Sequence, residues 1–339
     1  MRKLIVLLFS LIFMSNVNVF ASGIEIEPTM QSKTSAQDRV WVGTFQLVWN
    51  DFIDKVVHNP IRFREGTPAT VQELNKQEFT TADLSEKSYY KTTCRVTKKT
   101  KREIAKAIKK KFKESSDLLD SLDLTPRNDM FLIYAMLKKD FEFANAFDKL
   151  GTSDFGNGQK AEYFGINYKS NDKLDDGVYV LFYNSKDDFA VKLATKDNDE
   201  VYLYKNSANK PFNYIYSDMN KKEQGFKGNA MFKKNDELKV PNIKFFEEKS
   251  FDELTGKRVM GTNIVINQAL ETIKFNMNHK GVELKSEASM TFTKLSLDPP
   301  EEAPRYFYFD DTFVVFLKEK GKNNPYFALR VNDITKFQK

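Results

Sequence analysis

The sequence predicts an α+β fold, a single domain with N-terminal helices and large mixed β-sheets. Three observations point to it. Between Trp41 and Val57 apolar residues recur at three- and four-residue steps. From Met130 onward they gather in runs of strand length, bounded by turn residues. Between Gly281 and Thr293 the chain alternates: Val282, Leu284, Ala288, Met290 and Phe292 take one parity, and mostly polar residues the other.

Met1-Arg2-Lys3 precedes an apolar run from Leu4 to Met14, and Val19-Phe20-Ala21 follows. A basic start, a short apolar stretch and a small-residue exit predict a cleavable signal peptide over residues 1–21. The expected location is therefore secreted or periplasmic, with no membrane attachment after cleavage. A retained anchor is the rival reading, but the run is short for a bilayer span. Losing Arg2 and Lys3 would bring the formal charge from +6 to +4. Polar residues 22–40 read as a flexible lead-in. Residues 41–339 then form one globular domain, expected to be a monomer.

A helix is predicted from Trp41 to Val57, with Phe45, Val48, Trp49, Phe52, Ile53 and Val56 on its apolar face, stopped by Asn59-Pro60. Ile61-Arg62-Phe63 reads as a short strand. Thr67-Pro68 reads as the cap and first turn of a helix carrying Val71 and Leu74. Ile104, Ile108 and Phe112 give an apolar stripe to a helix over 98–113. Its other face is cationic, with Lys98, Lys99, Lys101, Arg102, Lys106, Lys109 and Lys110. Such a face is a candidate polyanion site, against the plainer reading of a solvated lysine-rich helix.

Met130 to Leu137 reads as a strand buried on both faces. Val178–Tyr183, Phe189–Leu193, Val201–Tyr204 and Ile243–Phe246 read as further strands. Residues 264–274 look helical and pass into a strand at Ile273–Met277. Tyr306–Phe309, Phe313–Leu317 and Tyr326–Val331 close the chain as strands after the break at Pro299-Pro300 and Pro304.

Catalytic ingredients are sparse. The two histidines, His58 and His279, and the single cysteine, Cys94, exclude multi-histidine and cysteine-rich metal sites. One cysteine also excludes an intramolecular disulfide. Its reading is an incidental, partly buried thiol, although the adjacent Arg95 leaves a reactive one conceivable. No Gly-x-Ser-x-Gly elbow or Gly-x-x-x-x-Gly-Lys loop is present. No enzyme activity and no cofactor are expected.

Several segments in order resemble one family. Met130-Phe131-Leu132-Ile133-Tyr134-Ala135-Met136-Leu137-Lys138, followed by Phe143 and Phe147-Asp148, is one. Leu238 to Phe245 with Phe251-Asp252-Glu253-Leu254, Ile264 to Gly281, Phe309 to Phe316 and Pro325 to Val331 are the others. Together they resemble the serpins. The resemblance implies a serpin-like domain whose chain after Gly281 leads into an exposed reactive loop near 286–300. It implies a hinge at Gly281, Val282, Glu283, Leu284, Lys285 and Ser286, and a scissile bond at Leu295-Ser296, with Lys294 just before it. It further implies a serine-protease inhibitor. Leu295 would suit a chymotrypsin- or subtilisin-like protease, Lys294 a trypsin-like one. Thr312 and Leu329 depart from a family proline and glycine, and the hinge is bulkier and more charged than in inhibitory members. The alternative is a non-inhibitory serpin-like binding protein using the basic helix.

Overall fold

The computed structural model describes residues 23–127, 130–156, 158–282 and 303–338. The signal-peptide expectation over 1–21 lies outside them.

The chain opens with β1 (Glu25–Glu27) and β2 (Arg39–Val42), paired in parallel. Helix α1 (Thr44–Phe52) follows and runs on as a wider π-type turn through Ile53–Val57. Helix α2 (Ala69–Leu74), strand β3 (Tyr89–Arg95), helix α3 (Thr100–Phe112) and strand β4 (Phe131–Leu137) complete the first third. Next come β5 (Phe141–Glu142), β6 (Asp148–Phe155), β7 (Gln159–Ile166), β8 (Val178–Ser185), β9 (Asp188–Leu193) and β10 (Asp199–Lys205). Helix α4 (Phe212–Gly225) precedes β11 (Glu237–Pro241), β12 (Ile243–Ser250), β13 (Leu270–Asn278) and β14 (Gly281–Val282). The chain closes with β15 (Tyr306–Tyr308), β16 (Phe313–Glu319) and β17 (Phe327–Val331).

These strands make a mixed seven-stranded sheet in the order β1-β2-β17-β16-β10-β9-β8. Two four-stranded sheets, β15-β11-β7-β6 and β12-β13-β14-β5, and the pair β3-β4 accompany it. The fold is thus α+β with large mixed sheets. The near-continuous apolar runs of β16 and β17 are buried on both faces, as such runs require. One face of this sheet meets α4, where the Phe212 and Tyr216 rings stand against Phe316. The other face meets β13, where Phe275 stacks on Phe327 with centroids 4.6 Å apart. Offset ring packing of this kind adds to the burial itself.

Several expectations change. The lead-in over 22–40 carries a strand, with Ile24, Ile26, Val40 and the ion pair Arg39–Glu27 buried. The segment has few apolar residues, yet Ile24, Ile26, Met30 and Val40 are all buried. Trp41 belongs to β2, so the first helix begins at Thr44. Thr67 does not cap α2; its hydroxyl accepts the Phe63 N–H instead. Ile61–Phe63 makes only one bridge, Phe63 to Val259. Residues 264–269 form no helix, and strand β13 starts at Leu270. Strand β4 is not buried on both faces: Tyr134 is buried, Phe131 is exposed and the rest are half-buried, and one edge borders a cleft.

Candidate functional site

The cleft lies between β4 and β13. Strand β4 is hydrogen-bonded to β3 on its far side, and β13 to β12 on its own. Among the described residues no strand pairs with both facing edges. The cavity measures about 1490 Å³. Its walls carry Ile133, Ala135 and Leu137 from β4 and Glu271, Ile273 and Phe275 from β13. Its floor is α1, with Phe45, Val48, Trp49 and Phe52. The helical stripe that reads as core in the sequence therefore does two jobs: Phe45 and Trp49 are buried, whereas Val48 and Phe52 are half-buried under the cleft. At the end farthest from β14, Phe131 and Val265 are exposed.

The near end is closed by β14. Gly281 and Val282 pair antiparallel with Asn278 and Met277 of β13 on one side. On the other they pair with Glu142 and Phe141 of β5. Gly281 has φ +150°, and a Cβ there would lie 2.4 Å from the Phe141 carbonyl oxygen, so no side chain fits. The chain thus turns at His279-Lys280 and points Val282 down the axis of the cleft, its side chain buried.

The rim where β4 gives way to β5 is pinned by a buried ionic cluster. The Lys139 ammonium lies 2.5 Å from Glu319 Oε1 and 2.8 Å from Asp199 Oδ1, above the Tyr326 ring. Tyr326 donates its hydroxyl to Asp199 at 2.9 Å, and Ser85 and Ser88 donate to Glu319. Burial lifts the Asp199 carboxyl above its usual range, against Lys139 and Tyr326. Burial also works to lift Glu319, but Lys139 and the Ser85 and Ser88 donors hold it below the usual value. Under the sheet, Asp51 of α1 takes Lys55 and Lys91 at 2.6 Å each, tying α1 to β3.

One carboxylate in the cleft wall is less well served. Glu271 is buried, and Thr44 donates its hydroxyl to Oε1 at 2.6 Å. Among the described residues Oε2 has no hydrogen-bond partner. Burial raises the carboxyl to about 7, against the Thr44 and Phe45 donors and Lys249.

Of the residues expected at the reactive loop, Gly281 and Val282 form β14. Glu283, Leu284, Lys285, Ser286, Lys294, Leu295 and Ser296 lie outside the described residues. Lys98, Lys99, Lys101, Arg102, Lys106, Lys109 and Lys110 are all exposed on or beside α3, whose inner face buries Ile104 and Ile108. Lys101 pairs with Asp120. His58 ends the first helix in a left-handed conformation, and His279 sits in the turn before β14, on a different element. Cys94 on β3 is half-buried, and burial raises its thiol pKa. Among the described residues no cluster of histidine, cysteine and carboxylate side chains is placed to hold a metal ion, and no helix is long and apolar enough to cross a membrane. Sequence reasoning missed Glu271, Thr44 and the Lys139 cluster. The alternation of Ile273, Phe275 and Met277, carried back by two, would have placed Glu271 on the buried face.

No family model matches the chain, and no curated protein matches it. Among solved structures, one it is similar to is Serpin48 of the insect Tenebrio molitor, described as a highly specific serpin. That likeness has a TM-score of 0.47 and 13% identity, covering 87% of this chain and 91% of that one. Another is human thyroxine-binding globulin complexed with thyroxine, at TM-score 0.45 and 9% identity, covering 84% and 94%. The likeness is to serpins. The segments that carry the resemblance sit around the cleft: β4 is one wall, β13 the other, and β14 its head.

Proposed function

We propose that this serpin-like chain acts by strand addition: when a protease cuts beyond Val282, the freed segment enters the cleft as a new strand between β13 and β4. The observation that carries this reading is Val282, already paired on both sides at the head of a cleft with two open edges. Continuing the β13–β14 register puts Leu284 beside Phe275, Ser286 beside Ile273 and Ala288 beside Glu271. Opposed residues of an antiparallel pair share a face. The apolar parity would therefore join Ile273, Phe275 and Met277 on the buried side. The charged hinge residues Glu283, Lys285 and Glu287 would stay on the solvent side. Lys285 would stand beside Lys274, a like-charge contact that opposes rapid entry. With no bulge at 138–140, position 292 would reach Phe131, the first residue of β4. A cut at Leu295-Ser296 would then fall just past the far end. A serine protease of chymotrypsin or subtilisin type is the partner this reading takes, and removal of residues 1–21 on export goes with it.

The test cuts the protein with chymotrypsin or subtilisin and follows melting and a denaturing gel. The nicked protein should melt well above the intact one. A protease-linked band would make it an inhibitor, and a raised melting point without that band a non-inhibitory member. An unchanged melting point after a verified cut beyond Val282 refutes strand addition. The exposed basic face of α3 favours a second, compatible role in holding a polyanion. Heparin retention that falls with salt and with charge removal at Lys106, Lys109 and Lys110 would support it.

A further inference from the structure

We propose that Glu271 is the specificity-determining residue of the cleft, selecting strands that present a hydrogen-bond donor or a cation inward at its level. The proposal rests on the strand-addition reading and says which strands are preferred. The walls and floor around Glu271 are apolar: Phe45 and Val48 below, Ile273 beside it, Ile133 and Ala135 opposite. Within that lining its Oε2 is a buried acceptor with no partner among the described residues. Thr44 serves only Oε1. The β12 side cannot complete the set. Lys249, the register partner of Glu271, turns its ammonium to the Glu25 carboxylate and to the Ile26 carbonyl at 2.9 Å. The remaining approach is from the open flank of β13, where an entering strand would lie.

A strand that sets an alkyl side chain against Glu271 leaves its already buried carboxylate oxygen with nothing to bond. One that brings a hydroxyl or ammonium supplies the missing donor. A carboxylate there would meet a like charge in an apolar cleft. Continuing the register of β14 would bring the chain's own Ala288 to this level. It is small enough to fit and unable to donate, so the chain's own segment is not the best occupant. A strand from another polypeptide with lysine or serine at this position is.

The experiment uses the full-length protein and synthetic peptides with the sequence of 283–292, unchanged or carrying Ala288→Lys, Ala288→Ser, Ala288→Leu or Ala288→Glu. Affinities are measured at mildly alkaline pH. The lysine peptide should bind roughly tenfold tighter than the unchanged one, and the glutamate peptide at least about tenfold weaker. In the Glu271→Gln protein the lysine advantage should vanish. Thr44→Val keeps the carboxylate but strips its side-chain donor, and should sharpen the preference. It also serves if the glutamine variant folds poorly. Equal affinities across the peptides, or a ranking that survives Glu271→Gln, overturns the proposal and leaves strand addition standing. If no peptide binds and nicking leaves the melting point unchanged, the strand-addition reading fails and this proposal falls with it.

Discussion

Replacing Glu271 with glutamine should stabilise the protein at alkaline pH and leave it nearly unchanged in mild acid. Burial raises the Glu271 carboxyl from 4.5 to about 7, outweighing the Thr44 and Phe45 donors and Lys249. Between those values the folded chain keeps a proton that the unfolded chain has released. The contribution of this group is therefore fully present below the unfolded value. It declines as pH rises through the window and is level above about 7. At about 1.36 kcal/mol per pH unit, the whole displacement amounts to about 3 kcal/mol. Glutamine keeps the acceptor for Thr44 and carries no charge, so its stability should not decline with this group. Urea unfolding of both proteins from about pH 4.5 to about pH 8.5 measures the difference. Glu27, which burial also lifts to about 7 against Arg39, contributes the same slope to both and cancels. The gap between the variants should open by about 3 kcal/mol across the window. Parallel profiles would refute the assignment of a buried, under-served carboxylate at this position.

Other outcomes follow from the same geometry. Gly281→Ala should cost about 1–3 kcal/mol and strip hydrogen-exchange protection from the Phe143 amide, which bonds the Lys280 carbonyl; unaltered protection would contradict the close approach of β14 to β5. Lys139→Met leaves the Glu319 and Asp199 carboxylates buried together. It should cost about 3–5 kcal/mol in urea unfolding, and Glu319→Gln in the same chain should recover part of that. The Cys94 thiol, raised by burial and by Glu103, should label slowly at neutral pH and rapidly in denaturant; fast labelling of the native protein would count against it.

Much of the fold was legible because burial on both faces writes itself as uninterrupted apolar runs. Strands β8, β9, β10, β16 and β17 all fall where such runs lie. Strand β6 escaped because Asp148–Phe155 is polar and exposed along most of its length, at the edge of its sheet. Helix α4 escaped because only Phe212, Ile215 and Met219 are buried, too few for a clear stripe among its polar residues. The cleft itself was not legible. Val48 and Phe52 have the same chemistry whether they meet core or a cavity, and periodicity reports only which side of the helix they occupy. The Lys139 cluster joins residues from positions 85, 88, 139, 199, 319 and 326, and no local pattern carries that meeting.

Strands β16 and β17, the last two in the chain, lie inside the seven-stranded sheet, with β2 on one side and β10 on the other. Trp41 has no neighbouring strand on that side until Ala328 leaves the ribosome. A growing polypeptide therefore cannot complete this sheet piece by piece, and its centre is assembled only once residues 313–331 have been made. Such long-range pairing delays folding. The delay leaves the inner edge of β2 unpaired while everything between it and β17 is made.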